Sequence, residues 1–332
     1  MNKLLVIRIG RAGDMVMITP SLLALLESYP EHEVHILTST DGKRVLSGFD
    51  PRVTDIFVYE KKRLTTGLAR LKQFKKIRKE GYDYIFNFEL KPSYKIIYKD
   101  LDAKVFELDE SEMHLNYAKR CLNIVQKSLD KKISTYWDWL PVTEEGVEKA
   151  RKQLLDAEIS DTDFVIGIHP SFSGSKKGLF SNKRRNHLRE WPPEYFAAVI
   201  NMLAEFNNEN SLNIKIIIDL LPGELALGET IVKLSGNNAV LFTLKPDFQR
   251  YKALLKRMDL LITPDTGPMH IAAALGTKNI CLFSGKSPDD CGPYMPPEDY
   301  FALRSEDYDS QSGLQAIKPE YVFEASKRFL PG

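Results

Sequence analysis

Short runs of β-branched and aromatic residues recur along the chain, separated by stretches whose apolar positions return every three or four residues. In the first half, residues 4–9, 34–38, 56–59, 84–88 and 105–108 read as strands, with helices at 20–29, 68–80 and 113–128. The second half repeats the theme, with strands at 164–169, 214–220, 240–244, 260–263 and 280–284. Its helices read as 194–206, 224–235, 250–256 and 268–275. The strands are apolar almost throughout, which marks burial on both faces. Regular β-α alternation then predicts an α/β fold of two parallel sheets, each covered by helices on both sides. A polar helical stretch at 143–163 marks the boundary between them. The expected domains are 1–155 and 156–315, with 316–332 forming a last helix (319–329) that crosses back to brace the first domain.

A length of 332 residues suits two domains of about 150 residues each. The net charge of +1 supplies no global field for nucleic acid. Cys121, Cys281 and Cys291 form no CxxC pair, which argues against a disulfide framework or structural zinc and fits a reducing cytosol. The first strand begins too early for a signal peptide, and no apolar run approaches the ~18–20 residues of a membrane span. The expected location is the cytoplasm.

Chemistry concentrates at strand ends. After the first strand comes Gly10-Arg11-Ala12-Gly13-Asp14. A dinucleotide turn wants glycine where Ala12 stands, and an acid at Asp14 repels a pyrophosphate. Asp14 has two readings: a cap for the following helix, or a carboxylate reaching into a cleft.

In the second half, Leu260 to Gly276 (LLITPDTGPMHIAAALG) reads as strand, tight turn and helix. Asp265, Thr266 and Gly267 make the turn, with Thr266 or Gly267 as N-cap and Pro268 in the first helical turn. Free N–H groups there suit an anion, and His270 lies in the same turn. Two further segments are expected at this edge. Ser171 and Ser173 follow the strand at 164–169, and Arg189 precedes a helix, where its fork suits phosphate. Trp191 reads as a core anchor. Glu224 opens the next helix, either holding ribose hydroxyls or complementing the helix dipole.

Taken together, these pieces resemble glycosyltransferase family 9, the bacterial heptosyltransferases of lipopolysaccharide core synthesis. The carriers are Ile7-Arg8-Ile9-Gly10 with Gly13-Asp14 and Thr19-Pro20, Tyr82-Asp83-Tyr84, His114 opening a long helix, His169-Pro170-Ser171, Trp191-Pro192, and Asp265-Thr266-Gly267-Pro268-Met269-His270 running on to Gly276. The resemblance implies a GT-B fold, two Rossmann-like domains with parallel sheets facing a central cleft, the acceptor in the first and a nucleotide-sugar in the second. It implies ADP-L-glycero-β-D-manno-heptose as donor, inversion at the anomeric carbon, and no metal. The Asp161-Thr162-Asp163 and Asp307-Tyr308-Asp309 patterns read as solvated acids. Asp14 becomes the catalytic base. Ser171, Arg189, Glu224, Asp265, Thr266, Gly267 and His270 become donor ligands; Arg11, Lys61, Lys62, Arg63 and Arg120 become acceptor ligands. The nucleotide-sugar is a co-substrate, so no cofactor is expected. Arg189 stands where the family usually has lysine, residues 174–187 are long and basic, Asp219-Leu-Leu-Pro-Gly223 is poorer in glycine, and Asn87-Phe88-Glu89-Leu90 replaces an Asp-rich strand end. Another sugar nucleotide, an O-antigen or protein acceptor, a nucleotide-sugar epimerase and a non-catalytic binding protein are the rival readings.

Residues 61–79 carry nine basic side chains and no acid. The plain reading is a solvated helix face. With an anionic lipid-linked saccharide as acceptor, the run instead becomes a docking face for that lipid at the inner membrane. No aromatics are spaced among the basics to stack on nucleic acid bases.

Overall fold

β1 (Asn2–Ile7) carries four consecutive side chains, Leu4 to Ile7, with no exposure at all, because it is the central strand of its sheet. In this computed structural model, which describes residues 2–59, 74–130, 132–171, 188–309 and 311–331, the chain divides into Met1–Pro141 and Val142–Gly332.

The first unit is an all-parallel sheet in the order β3-β2-β1-β4-β5. Its strands are β1, β2 (His32–Thr38), β3 (Val53–Val58), β4 (Tyr84–Asn87) and β5 (Lys104–Glu107). The helices are α1 (Ala12–Val16), α2 (Thr19–Ser28), α3 (Thr40–Leu46) and α4 (Tyr117–Leu129). Helices α2 and α4 pack on each other. One apolar cluster joins Leu5, Ile7, Leu37 and Ile85 of the sheet to Ile77, Tyr94 and Ile97. The strand order reverses between β1 and β4, so the loops after these two strands diverge and leave a crevice at their carboxyl ends.

A six-stranded parallel sheet in the order β11-β10-β9-β6-β7-β8 builds the second unit. It contains β6 (Phe164–Ile168), β7 (Ile214–Asp219), β8 (Val240–Phe242), β9 (Leu260–Pro264), β10 (Lys278–Phe283) and β11 (Tyr300–Arg304). Around it lie α5 (Glu144–Leu155), α6 (Pro193–Glu209), α7 (Leu225–Leu234), α8 (Phe248–Arg257), α9 (Gly267–Ala273), α10 (Pro288–Cys291) and α11 (Pro319–Ser326). Here the reversal falls between β9 and β6.

Two expectations are corrected, and the last helix is placed. Residues 144–155 belong with the second unit, not the first, because α5 lies along α8. Gly146 makes that approach possible: a Cβ there would come within 2.6 Å of the Gln249 carbonyl oxygen. Lys149 and Gln153 add bonds to Asp247 and Arg250 at 2.8 and 2.7 Å. The last helix, α11, packs on α6 and β10 of its own unit, burying Val322 and Ala325, with Phe329 just beyond it, in the core that holds Phe196 and Ile200. His114 precedes rather than opens its helix, since Asn116 caps α4 by accepting the Ala118 N–H at 3.0 Å. The strand β11 was not foreseen: Tyr-Phe-Ala-Leu-Arg is an edge strand, mostly half-buried, with no β-branched residue to mark it.

Candidate active site

Asp14 caps the start of its helix and keeps part of its carboxylate open. It sits in the first turn of α1, where Oδ2 accepts the Arg11 backbone N–H at 2.8 Å. Its other oxygen accepts from Arg8 Nη2 at 2.9 Å, yet 42% of the side chain remains exposed, so a reactant can reach it. Gly10 permits this fold-back, because a Cβ at residue 10 would lie 2.4 Å from the Asp14 Cβ. The Ser39 hydroxyl donates to the Gly10 carbonyl at 2.5 Å and ties the loop to the end of β2.

Two residues beside Asp14, named in the sequence only as parts of longer segments, had been given no role. Arg8 Nη1 lies 3.5 Å from Glu89 Oε1, which also accepts the Ile9 N–H at 2.6 Å. Glu89 follows β4, so Asp14 and Glu89 come from the two strands that flank the reversal of strand order. The Arg8 guanidinium lies 4.4 Å above the Tyr117 ring of α4. Burial alone lowers the Arg8 pKa, but Tyr117, Asp14 and Glu89 together raise it above the ordinary arginine value. The readable signal was a basic residue at a strand end within reach of an acid; nothing local identifies the distant partner Glu89.

Of the expected acceptor residues, Arg11 is exposed beside Asp14. Arg120 is buried in α4, with its guanidinium 5.2 Å from the same Tyr117 ring and Nη1 donating to Met113 Sδ at 2.8 Å. Lys61, Lys62 and Arg63 lie outside the described residues. So do Ser173 and the basic loop at 174–187.

In the second unit the expected donor residues sit at the carboxyl ends of three adjacent strands. Asp265, Thr266 and Gly267 follow β9, Ser171 follows β6, and Glu224 follows β7. Thr266 is the N-cap of α9, and its hydroxyl meets that of Thr263 at 3.2 Å instead of capping the helix. His270 is buried in the same helix. Arg189 Nη2 donates to the Asp265 carbonyl at 2.8 Å and lies 3.6 Å from its carboxylate. The Arg189 segment is itself pinned: Leu188 accepts the Leu314 N–H at 2.9 Å, close against Gly313, whose φ of +60° suits glycine. Ser171 and His169 Nε2 are 3.1 Å apart, and desolvation pushes the His169 imidazole down to about 4. His169 is therefore a neutral partner for Ser171.

Glu224 turns back to accept the Leu221 N–H at 3.3 Å, closing the 3₁₀ turn Pro222–Glu224. Trp191 is a core anchor: it is buried, and its indole N–H donates to the Ile317 carbonyl at 2.8 Å. Asp219 is held in a buried fork by Arg250 at 3.0 and 3.1 Å. Of the two Asp-x-Asp patterns, Asp163 caps Ser160 at 2.6 Å and Asp309 accepts the Gln311 N–H at 3.0 Å. Among the described residues no group of three or more His, Cys, Asp or Glu could hold a metal ion, and no helix is long and apolar enough to cross a membrane.

Comparison with known proteins gives this geometry its family. The chain is 23% identical over 314 residues to the lipopolysaccharide core heptosyltransferase OpsX of Haemophilus influenzae, covering 94% of this chain and 87% of that protein. Among solved structures it is similar to a family 9 glycosyltransferase from Veillonella parvula, with a TM-score of 0.81, 19% identity, and 99% and 97% of the two chains covered. It is also similar to the E. coli heptosyltransferase WaaC with ADP, at a TM-score of 0.72 and 13% identity over 99% and 100% of the chains. The fold is thus GT-B. The family model for glycosyltransferase family 9 (heptosyltransferase) matches residues 111–318. Because that match takes in more than half of the sequence, including every donor-side residue named above, the chain belongs to glycosyltransferase family 9 and is a glycosyltransferase.

Proposed function

We propose that this enzyme transfers heptose from ADP-L-glycero-β-D-manno-heptose to a lipopolysaccharide core acceptor, with inversion and with Asp14 as general base. The observation that carries the reading is Asp14 itself, a half-exposed carboxylate fixed at the reversal point of the first sheet by Arg8 and the Arg11 N–H. Family membership supplies the reaction class. The Haemophilus influenzae relative is a lipopolysaccharide core heptosyltransferase, and solved E. coli relatives carry ADP or an ADP-heptose analogue, which supports the donor.

In this reading the acceptor hydroxyl attacks the anomeric carbon, its proton passes to Asp14, and ADP leaves with the bonding electrons. Charge grows on the leaving diphosphate, so preorganised donors near it lower the barrier. Arg189 supplies a cation there, and Asp265, Thr266, Gly267 and His270 line the same strand end, with Ser171 and Glu224 on the neighbouring strands. Arg11, with Lys61, Lys62 and Arg63, is proposed to bind the anionic acceptor, while the buried Arg120 adds its charge from α4. The first unit holds the acceptor and the second the donor. The enzyme works in the cytoplasm, at the inner-membrane surface where its lipid-linked acceptor lies.

The test is thermal stabilisation by ADP-, UDP-, GDP- and CMP-sugars, on the wild type and Asp14→Asn. Transfer is then followed onto lipopolysaccharide from a heptose-deficient strain. A ligand at 100 times its dissociation constant stabilises by about 2.7 kcal/mol. Stabilisation by ADP-heptose alone, kept in Asp14→Asn while transfer is lost, is the expected result. Preference for another nucleotide-sugar overturns the donor, and transfer by Asp14→Asn overturns the base.

A further inference from the structure

Glu89 has no part in the chemistry above, yet it is among the most carefully held side chains near Asp14. Its side chain is 6% exposed, and Oε1 accepts the Ile9 N–H at 2.6 Å. Asn87 fixes its backbone from both sides, accepting the Glu89 N–H and donating to the Glu89 carbonyl, each at 3.2 Å. The same Asn87 amide donates to the Tyr98 hydroxyl at 2.8 Å, and Tyr98 donates to Glu107 at 2.5 Å. This network sets Glu89 against Arg8 Nη1, while Arg8 Nη2 holds Asp14. One guanidinium therefore spans two carboxylates, one buried and one open.

We propose that Glu89 is a positioning residue for Asp14: it holds Arg8 in place and balances its charge, so that Arg8 orients the Asp14 carboxylate. The proposal rests on the reading of Asp14 as base. During transfer the acceptor oxygen–carbon bond forms, the anomeric carbon–phosphate oxygen bond breaks with its electron pair leaving on ADP, and the proton moves to Asp14. Once Asp14 is neutral, Arg8 needs a counter-ion in its buried site, and Glu89 is that ion. Without Glu89 the whole Arg8 charge opposes protonation of Asp14.

The charged and titratable groups around this cluster come from four elements, among them α1 with Asp14 and its N-cap Arg11. Arg8 follows β1, Glu89 follows β4, and Arg120, Tyr117 and Cys121 come from α4. Burial pushes the Cys121 thiol up to about 12 and the Tyr117 hydroxyl well above its ordinary value, so both stay neutral. Arg8, Arg11, Arg120, Asp14 and Glu89 are left to set the local balance of charge.

Glu89→Gln tests this cleanly, because the amide oxygen can still accept the Ile9 N–H and only the charge is lost. The reaction is followed from pH 4.5 to 9 with ADP-heptose and heptose-deficient lipopolysaccharide. The acidic limb of kcat/KM moves to lower pH by about half a unit or more in Glu89→Gln, and Glu89→Asp restores it. At pH 7, kcat falls about three- to tenfold with the donor KM within about twofold. Should Glu89→Gln not fold, Arg8→Met decides: its acidic limb moves to higher pH. An unmoved limb in the Gln variant, no restoration by Asp, or an unmoved Arg8→Met limb overturns the proposal. Transfer retained by Asp14→Asn overturns the base reading itself, and the role of Glu89 with it. An inactive Asp14→Asn beside an unmoved Glu89→Gln limb overturns Glu89 alone.

Discussion

The Arg189 guanidinium donates to the main-chain carbonyl of Asp265 at 2.8 Å, joining the segment before α6 to the turn between β9 and α9. One side chain thus braces the turn and presents a cation beside it. Truncation to alanine raises the donor KM about tenfold or more, the scale of a lost charge-assisted hydrogen bond, and abolishes thermal stabilisation by ADP. Lysine keeps the charge but not the fork, so Arg189→Lys falls between the two. Initial rates over a donor titration decide it; an unchanged KM in the alanine variant confines Arg189 to bracing.

Gly10→Ala drives a methyl group into the Asp14 side chain, with a Cβ–Cβ separation of 2.4 Å unless something moves. A carboxylate displaced by about 1 Å loses about 100-fold in rate. Transfer activity therefore drops far more than stability, as measured by kcat against the urea midpoint on the same preparation.

Asp219 and Arg250 form a bidentate pair at 3.0 and 3.1 Å, each less than a tenth exposed. Removing one partner strands a buried charge, which costs about 3–5 kcal/mol. Arg250→Met shows that loss in equilibrium urea unfolding. Replacing both residues by apolar ones of similar volume recovers much of it.

His169 gives a pH signature of stability. Its folded pKa lies near 4, below the ordinary 6.5, so between these values the unfolded chain binds a proton that the native protein refuses. The associated stability is complete above pH 6.5 and is lost as pH falls through 4. In that window the wild type loses up to about 1.4 kcal/mol per pH unit more than His169→Gln. Urea unfolding at half-unit steps of pH reads the difference in slope.

The described end of the basic run divides into committed and open charges. Lys76 bonds Asp55 at 2.8 Å and lies 4.8 Å from the Phe57 ring, whereas Lys75 is exposed. If this face docks an anionic lipid surface, Lys75→Glu weakens binding to phosphatidylglycerol vesicles. The loss is on the scale of about 1 kcal/mol per charge near the surface. Sedimentation with vesicles at low and high salt measures it; unchanged binding removes Lys75 from any such surface.

Ten of the eleven strands in the described residues were legible, the central ones as apolar runs because parallel strands buried on both faces need nothing else. The turn after β9 was legible too, since Pro268 after the cap and Gly276 at φ +80° are local requirements. Asp14 drew attention as an acid at a glycine turn. Glu89 did not, because its significance lies in Arg8, a contact across 81 positions of chain that no local pattern encodes. The grouping of α5 with α8 was hidden for the same reason: a polar amphipathic helix shows that it has a buried face, not which neighbour buries it.

By itself the sequence determined the alternation of strands and helices, the parallel sheets, the glycine turns and the acid at position 14. Those follow from side-chain periodicity and backbone stereochemistry, which act over a few residues. Tertiary structure alone decided the order of strands, and with it that Gly10–Asp14 lies with Glu89, whereas the meeting of Asp265–Gly267 with Ser171 was already expected. It also decided that Arg8 is a shared cation and Arg120 a buried one. Those outcomes depend on burial and on charges brought within 4 Å by the sheet, and both exist only once distant segments have packed.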